Sequence, residues 1–344
     1  MSTLIKVDHL RKVFKRQVRS EGFAGTIKDL FYRRYTDKIA VNDISFTIDR
    51  GEIVGYIGPN GAGKSTTIKM LSGILVPTEG IGEVGGLVPQ KTRKQYSRRI
   101  GVVFGQRTQL WWDIPVSESF KLLKYMYRVP DQEYKRSLEL FSDVLRIDEF
   151  ISAPVRQLSL GQRMRADLCA ALLHNPDILY LDEPTIGLDV VVKENIRDFI
   201  RQVNQERKTT VILTTHDMSD IEKLCSRVIV IDHGKIMYDG ALGELKNIYG
   251  TGETMVIEAA EPVRRDGLSL PGIADLACDG KTVTIKYDKT VVNSTAILKT
   301  LMNKITITDF VVHPSDIEQI IRKMYENPLP AAEAAASSWG GKIG

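Results

Sequence analysis

The stretch GPNGAGKST, Gly58–Thr66, sits between an apolar run, IVGYI from Ile53, and a helical pattern, STTIKMLSGIL from Ser65. A glycine-rich loop in that context constrains the chain to a strand, a tight turn and a helix whose first turn faces an anion. Gly61 and Gly63 let backbone N–H groups approach phosphate oxygens, and the helix N-terminus adds a favourable dipole. Gly58, Pro59, Asn60, Ala62 and Thr66 complete the cradle. Lys64 is placed to reach the β- and γ-phosphates, and the Ser65 hydroxyl to ligate Mg²⁺.

Four further β-rich runs follow: RIGVVF from Arg99, DILYLD from Asp177, TVILTTH from Thr210 and RVIVID from Arg227. Helical patterns separate them, which predicts crossover helices and a mainly parallel sheet. From about 115 to 175 the pattern is helical, including SESFKLLKYMY and YKRSLELFSDVL, and predicts a helical subdomain inserted into the sheet domain. After Gly240 the runs TMVIEA, KTVTIKYD, STAILKTLMNKI and DIEQIIRKMYE predict a small α+β domain over 241–328, with 329–344 expected to be a disordered tail. A basic segment, 15–38, interrupts the first strand region. Within it Phe23, Ile27, Leu30 and Phe31 have helical spacing beside Lys28, Arg33 and Arg34, which suits an interfacial helix or one that covers its own domain.

ILYLDEP places Asp182 and Glu183 at the end of a buried strand, where adjacent carboxylates are costly without partners. Asp182 suits the Mg²⁺ shell, and Glu183 suits a base that deprotonates an attacking water. His216 ends the strand VILTT and is placed to hydrogen-bond a γ-phosphate or align the water and Glu183. Gln106, after the strand GVVF, could reach both Mg²⁺ and the water. Gly105 reads as one extra residue there, so Gln109 is an alternative. Phe14 suits stacking on adenine, although a core aromatic explains it as well.

The turn LSLGQ, Leu158–Gln162, opens an Arg-rich helix far from the first phosphate loop. Ser159 and Gln162 form an S-x-x-Q capping box, which by itself accounts for a well-started helix. A helix start with a serine hydroxyl, Gly161 and free N–H groups is also an anion site. One phosphate loop surrounds its own nucleotide from one side, so this second site is expected to serve the nucleotide of another copy.

In order, the chain carries GPNGAGKST, Gln106, LSLGQ, ILYLDE, GLD (Gly187–Asp189) and His216, and over Leu4 to Gly240 it resembles the ATP-binding subunits of ABC transporters. The resemblance implies an α/β ATPase domain over 1–240 with a mainly parallel core sheet, an antiparallel β-subdomain and a helical subdomain. It implies ATP and Mg²⁺ as cofactors, and a head-to-tail homodimer with two ATPs between the phosphate loop of one copy and Ser159, Gly161, Gln162 and Asp189 of the other. Leu160 stands where the family more often has glycine. LSLGQRMRADL and GQRTQLWWDIPVSESF look most like ATPases of ABC-2-type exporters, in a branch linked with viologen or multidrug efflux. That implies separate integral-membrane permease subunits, of one kind or two, and a peripheral place on the cytoplasmic membrane face. An importer subunit, or an ABC protein acting on ribosomes or DNA, are the rival readings. No fused second ATPase or long coiled coil supports the latter.

Composition agrees with a globular chain: 26% charged and 43% hydrophobic residues, with a net charge of +4 that is too mild to imply nucleic-acid binding. Cys169, Cys225 and Cys278 have no metal-ligand spacing. No run approaches the roughly 18 apolar residues of a membrane span.

Overall fold

A computed structural model describes residues 2–18, 34–105, 107–250, 252–265, 268, 270–314 and 317–326. The helical stripe at Phe23, Ile27, Leu30 and Phe31, the residue Gln106 and the tail 329–344 lie outside these residues. The chain divides into two compact units, Met1–Asp239 and Gly240–Gly344.

The first unit is built on a six-stranded sheet in the order β5-β6-β7-β3-β8-β9. Its strands are β3 (Ile53–Ile57), β5 (Ile100–Phe104), β6 (Ile178–Asp182), β7 (Thr210–Thr214), β8 (Arg227–Asp232) and β9 (Lys235–Ala241). Strands β5 to β8 pair in parallel. All five residues of β3 and of β7 are buried, as expected for strands covered on both faces. Strand β3 sits centrally, so the phosphate loop that follows it opens at the carboxyl edge between β7 and β8.

A three-stranded antiparallel sheet, β2-β1-β4, lies in the same unit and comprises β1 (Thr3–Val18), β2 (Arg34–Asp49) and β4 (Glu79–Val84). Ile5, Leu10, Ile44 and Ile48 from it join Val54, Tyr56 and Ile229 of the large sheet in one core. The boundaries of the basic insertion need correction. Residues 15–18 and 34–38 are strand residues, because β1 and β2 stay paired as far as Val18 and Arg34. Pairing of β1 with β4 stops at Arg11 and Glu79, so the distal ends of β1 and β2 form a two-stranded ribbon.

Helices α1 (Lys64–Leu71) and α2 (Arg93–Tyr96) precede the helical region, which comprises α3 (Val116–Tyr127), α4 (Asp131–Leu145) and α5 (Leu160–Leu172). Helix α3 follows Pro115 and buries Val116, Phe120 and Leu123 at i, i+4 and i+7. Helix α4 follows Pro130, carries Asp131 and Glu133 in its first turn, and stops at Arg146 in a left-handed conformation. Helices α6 (Val190–Arg207) and α7 (Met218–Leu224) flank β7 in sequence.

The second unit holds α8 (Leu242–Tyr249), β10 (Gly252–Ala259), β11 (Ile273–Asp279), β12 (Thr282–Asp288), α9 (Ser294–Met302), β13 (Ile307–Pro314) and α10 (Ile317–Glu326). Its sheet is antiparallel, in the order β11-β12-β10-β13. Met255, Ile257, Val283, Ile285 and Tyr287 alternate onto the face covered by Ile297 and Leu301 of α9.

Candidate functional site

The glycine loop runs from the end of β3 into α1. Gly63 has φ of +110°, and a Cβ there would lie 2.5 Å from the Ala40 carbonyl oxygen of β2, so only glycine fits the turn. Lys64 folds across the loop, its Nζ donating to the carbonyls of Gly58 at 2.6 Å and Pro59 at 3.1 Å. Burial pushes the Lys64 ammonium below its ordinary pKa, against the pull of the Glu183 and Asp182 carboxylates.

Asp182, at the end of β6, is brought to this loop by the sheet. Its Oδ1 accepts from the Ser65 hydroxyl at 3.1 Å and from the Thr214 hydroxyl of β7 at 2.5 Å. Asp182 and Thr214 are paired in register, so the adjacent strand supplies the second donor. Glu183 follows with φ of +58°, a left-handed backbone that costs a non-glycine residue about 1 to 3 kcal/mol. Two contacts hold it there. Its N–H donates to the Thr214 carbonyl at 2.9 Å, and its Oε2 is hydrogen-bonded to Nδ1 of His216.

Gly105 meets the same corner from β5. Its N–H donates to the Asp182 carbonyl at 2.8 Å, and a Cβ at 105 would lie 2.2 Å from the Glu183 carbonyl oxygen. The residue that reads as an extra one in the sequence is thus required by close backbone approach. Gln106 lies outside the described residues. Gln109 is committed elsewhere: its Nε2 donates to the Asp167 carbonyl and its N–H to Asp167 Oδ1, each at 3.0 Å.

These groups border a cleft of about 470 Å³ lined by Asn60, Gly61, Gly63, Lys64, Ser65, Thr66 and Glu183, and by Phe14, Lys15, Arg16, Lys38 and Ala40 of the β1–β2 ribbon. Phe14 is 38% exposed, which excludes the core-aromatic reading, and the Lys12 Nζ lies 5.2 Å from its ring centroid.

The second helix start is a complete capping box. The Gln162 N–H donates to the Ser159 hydroxyl at 3.2 Å, and the Ser159 N–H donates to Gln162 Oε1 at 2.9 Å. Leu160 is the first residue of α5 and is exposed, so an unusual residue for the motif creates no steric conflict in this chain. Gly161 is in the same turn. Asp189 caps α6, accepting from the Val192 N–H at 2.9 Å. A second cavity of about 370 Å³ is lined by Gly105, Leu160, Arg163, Asp167 and Gly187, among others. Burial pushes the Asp167 carboxyl up to about 6, against hydrogen bonds from the Gln109 N–H and the Thr108 hydroxyl.

Sequence reasoning missed Thr214 and a buried cluster around Asp220. Thr185 and Thr215 donate to Asp220 Oδ2 at 2.5 and 3.2 Å, and Arg197 Nε donates to Oδ1 at 2.6 Å. Thr185 lies two residues after Glu183, and Thr215 immediately before His216. No spacing rule marks Asp220, because its partners come from three separate segments.

With this geometry in place, comparison with known proteins is specific. A family model described as ABC transporter matches residues 41–186. The ABC transporter ATP-binding protein NatA of Bacillus subtilis (strain 168) is 36% identical over 217 residues, covering 62% of this chain and 88% of NatA. Methionine import ATP-binding protein MetN 2 of Enterococcus faecalis is 35% identical over 241 residues, covering 69% of this chain and 65% of the relative. Among solved structures, the dimeric post-hydrolysis state of the ATP-binding cassette MJ0796 bound to ADP and Pi superposes with a TM-score of 0.57 at 26% identity, covering 70% of this chain and 99% of that one. No helix among the described residues is long and apolar enough to cross a membrane. A glycine loop, an acidic strand end and a histidine meeting at one sheet edge, together with these relatives, establish that the chain belongs to the ABC transporter family and is an ATP-binding, ATP-hydrolysing subunit of an ABC transporter.

Proposed function

We propose that this subunit pairs with a second copy around two MgATP and drives export through separate ABC-2-type permease chains, opening after hydrolysis. The observation that carries the reading is that the cleft residues Ser65 and Glu183 are hydrogen-bonded to Asp182 and His216 respectively. Lys64 and the loop N–H groups bind the phosphates. Glu183 takes the proton from the attacking water, a role worth roughly 10² to 10⁴ in rate. His216 holds the Glu183 carboxylate in line.

The donor set fits Mg²⁺. A hydroxyl and one carboxylate converge within hydrogen-bond distance, and this hard, oxygen-only pair suits an ion that completes its shell with water and substrate phosphates. No cluster of three or more His, Cys, Asp or Glu side chains that could cage a metal occurs among the described residues. Ser65 and Asp182 would hold the ion, with Gln106 as a further ligand. Bound there, it would neutralise charge developing on the transferred phosphoryl group.

The Ser159 helix start, Gly161, Gln162 and Asp189 complete the partner's nucleotide site in this reading, and the dimeric form of the MJ0796 cassette supports it. Exposed Trp111, Trp112, Leu122, Tyr125 and Met126, beside and on α3, support contact with a permease at the cytoplasmic membrane face. Export rests on the resemblance of LSLGQRMRADL to ABC-2 ATPases. Import is the second reading, favoured by the likeness to MetN 2.

The test is Glu183→Gln, which keeps size and one acceptor but removes the base. ATP hydrolysis should collapse while ATP binding persists and the ATP-bound dimer accumulates. Near-normal turnover overturns the assignment. Membrane chains co-purifying with the trapped dimer identify the permease, and transport by inverted vesicles separates export from import.

A further inference from the structure

The β1–β2 ribbon contributes charge to the nucleotide cleft that no motif assigns. In an antiparallel pair, directly opposed residues share a face, and the register opposes Phe14 to Lys38 and Arg16 to Thr36. Alternation then places Phe14, Arg16, Lys38 and Ala40 on the same side of the ribbon. The ribbon abuts the phosphate loop, since a Cβ on Gly63 would strike the Ala40 carbonyl at 2.5 Å, and all four of these residues, with Lys15, line the cleft beside Gly63. Moving outward from this contact, Lys38 lies two residues on, roughly 7 Å along the strand and directly opposite Phe14, with Arg16 its diagonal neighbour on the other strand, opposite Thr36. Both line the cleft with Phe14 and Lys64. No ion pair engages Arg16 or Lys38 among the described residues, and both side chains are exposed. Lys12, by contrast, is committed: it donates to the Val76 carbonyl at 2.7 Å and rests over the Phe14 ring.

We propose that Lys38 and Arg16 form a second cationic wall for the nucleotide, gripping its ribose-phosphate portion from the side opposite Lys64. The proposal rests on the reading of Gly58–Thr66 as the nucleotide site and deepens it. A base stacked on Phe14, with its phosphates in the glycine loop, must pass its sugar and α-phosphate in front of Lys38. The Lys12 ammonium, 5.2 Å from the Phe14 ring centroid, helps hold the ring in place, and the ring remains 38% exposed beside the cleft. The ligand class this wall recognises is a nucleoside di- or triphosphate, read through charge rather than base identity. Because the cations are exposed, their attraction is screened by salt.

The experiment titrates ATP and ADP into the full chain and into the double variants Arg16→Gln/Lys38→Gln and Arg16→Glu/Lys38→Glu, with Lys64→Ala as reference. ATP and ADP affinities should fall together, by about five- to tenfold for the glutamine pair and further for the glutamate pair. The loss of affinity between low and high salt should become shallower in the glutamine pair. Both substitutions are on exposed side chains, and an unchanged unfolding temperature verifies the fold. Glutamine and glutamate pairs that both bind ATP within twofold of the wild type, while Lys64→Ala has lost binding, overturn the cationic wall alone. Equal losses for the glutamine and glutamate pairs also overturn it, because a charge effect must be graded. Normal ATP binding by Lys64→Ala would instead sink the nucleotide-site reading beneath it.

Discussion

Arg197 and Asp220 form an ion pair sealed from solvent: Arg197 Nη2 lies 2.5 Å from Asp220 Oδ1, and the two side chains are 3% and 0% exposed. The arginine comes from α6 and the aspartate from α7. Through Thr185 and Thr215 the aspartate also ties down the segments that carry Glu183 and His216. Breaking a buried pair by removing one partner leaves an uncompensated charge, at a cost of about 3 to 5 kcal/mol. Arg197→Met should therefore lower unfolding stability by about that amount in denaturant titrations. A loss under about 1 kcal/mol would show that the pair is dispensable.

Gly105→Ala would place a methyl carbon 2.2 Å from the Glu183 carbonyl oxygen, a clash that glycine avoids by having no Cβ. The Glu183 backbone must shift, and misplacement of a reacting group by about 1 Å can cost on the order of 10² in rate. ATPase kcat should fall toward that extent while ATP affinity stays near wild type, as resolved by steady-state kinetics and equilibrium titration. Equal losses in both would place the effect on binding rather than alignment.

Ser159→Asp separates the two roles of the helix start. Aspartate is as good an N-cap as serine, so the stability of α5 should hold within about 0.5 kcal/mol. Its negative charge would repel a partner's γ-phosphate, so ATP-driven dimerisation measured by light scattering should be lost. A dimer that forms normally would reduce Ser159 to a cap. Mixing the Ser159 variant with a Lys64→Ala chain places both defects in one composite site, and about one tightly held ATP per mixed dimer is the expected count.

Asp167 makes stability depend on pH. Its folded pKa, pushed up to about 6, exceeds the ordinary carboxylate value, so between about pH 4 and 6 the folded state holds more of the proton than the unfolded state. The sign is that this group destabilises the fold increasingly as pH rises through 6, and the penalty disappears on acidification. Asp167→Asn still accepts from Thr108 and Gln109 but cannot ionise. The variant should gain stability on the wild type at pH 7, with the gap narrowing as pH falls below 6 and closing only below about pH 4. A pH-independent difference would contradict the assignment.

Much of the active edge was legible in the sequence. The glycine loop, the acidic end of DILYLD and the histidine after TVILTT are local patterns, each set by a strand that stops and a backbone that must turn. The capping box at Ser159 is equally local, and its geometry follows from four consecutive residues. Leu160 was legible as a departure from the motif, but only the helix shows that an exposed first-turn position accepts it.

Other features belong to tertiary structure. The order β5-β6-β7-β3-β8-β9 decides that Thr214 shares Asp182 with Ser65 and that Gly105 abuts Glu183, because strands distant in sequence become neighbours only once the sheet forms. The Asp220 cluster collects Thr185, Arg197 and Thr215 from separate segments, so no window of sequence contains it. The basic residues around Phe14 read as the ends of an insertion. Register pairing turns them into a strand ribbon and directs Arg16 and Lys38 into the cleft, since alternation assigns a face only after the partner strand is known. The sequence by itself determined which residues can bind phosphate and start helices, because backbone conformation and capping are settled within a few residues. Which side chains share a charge, a proton or a cavity was decided only by the fold, because those energies depend on distances that chain order does not contain.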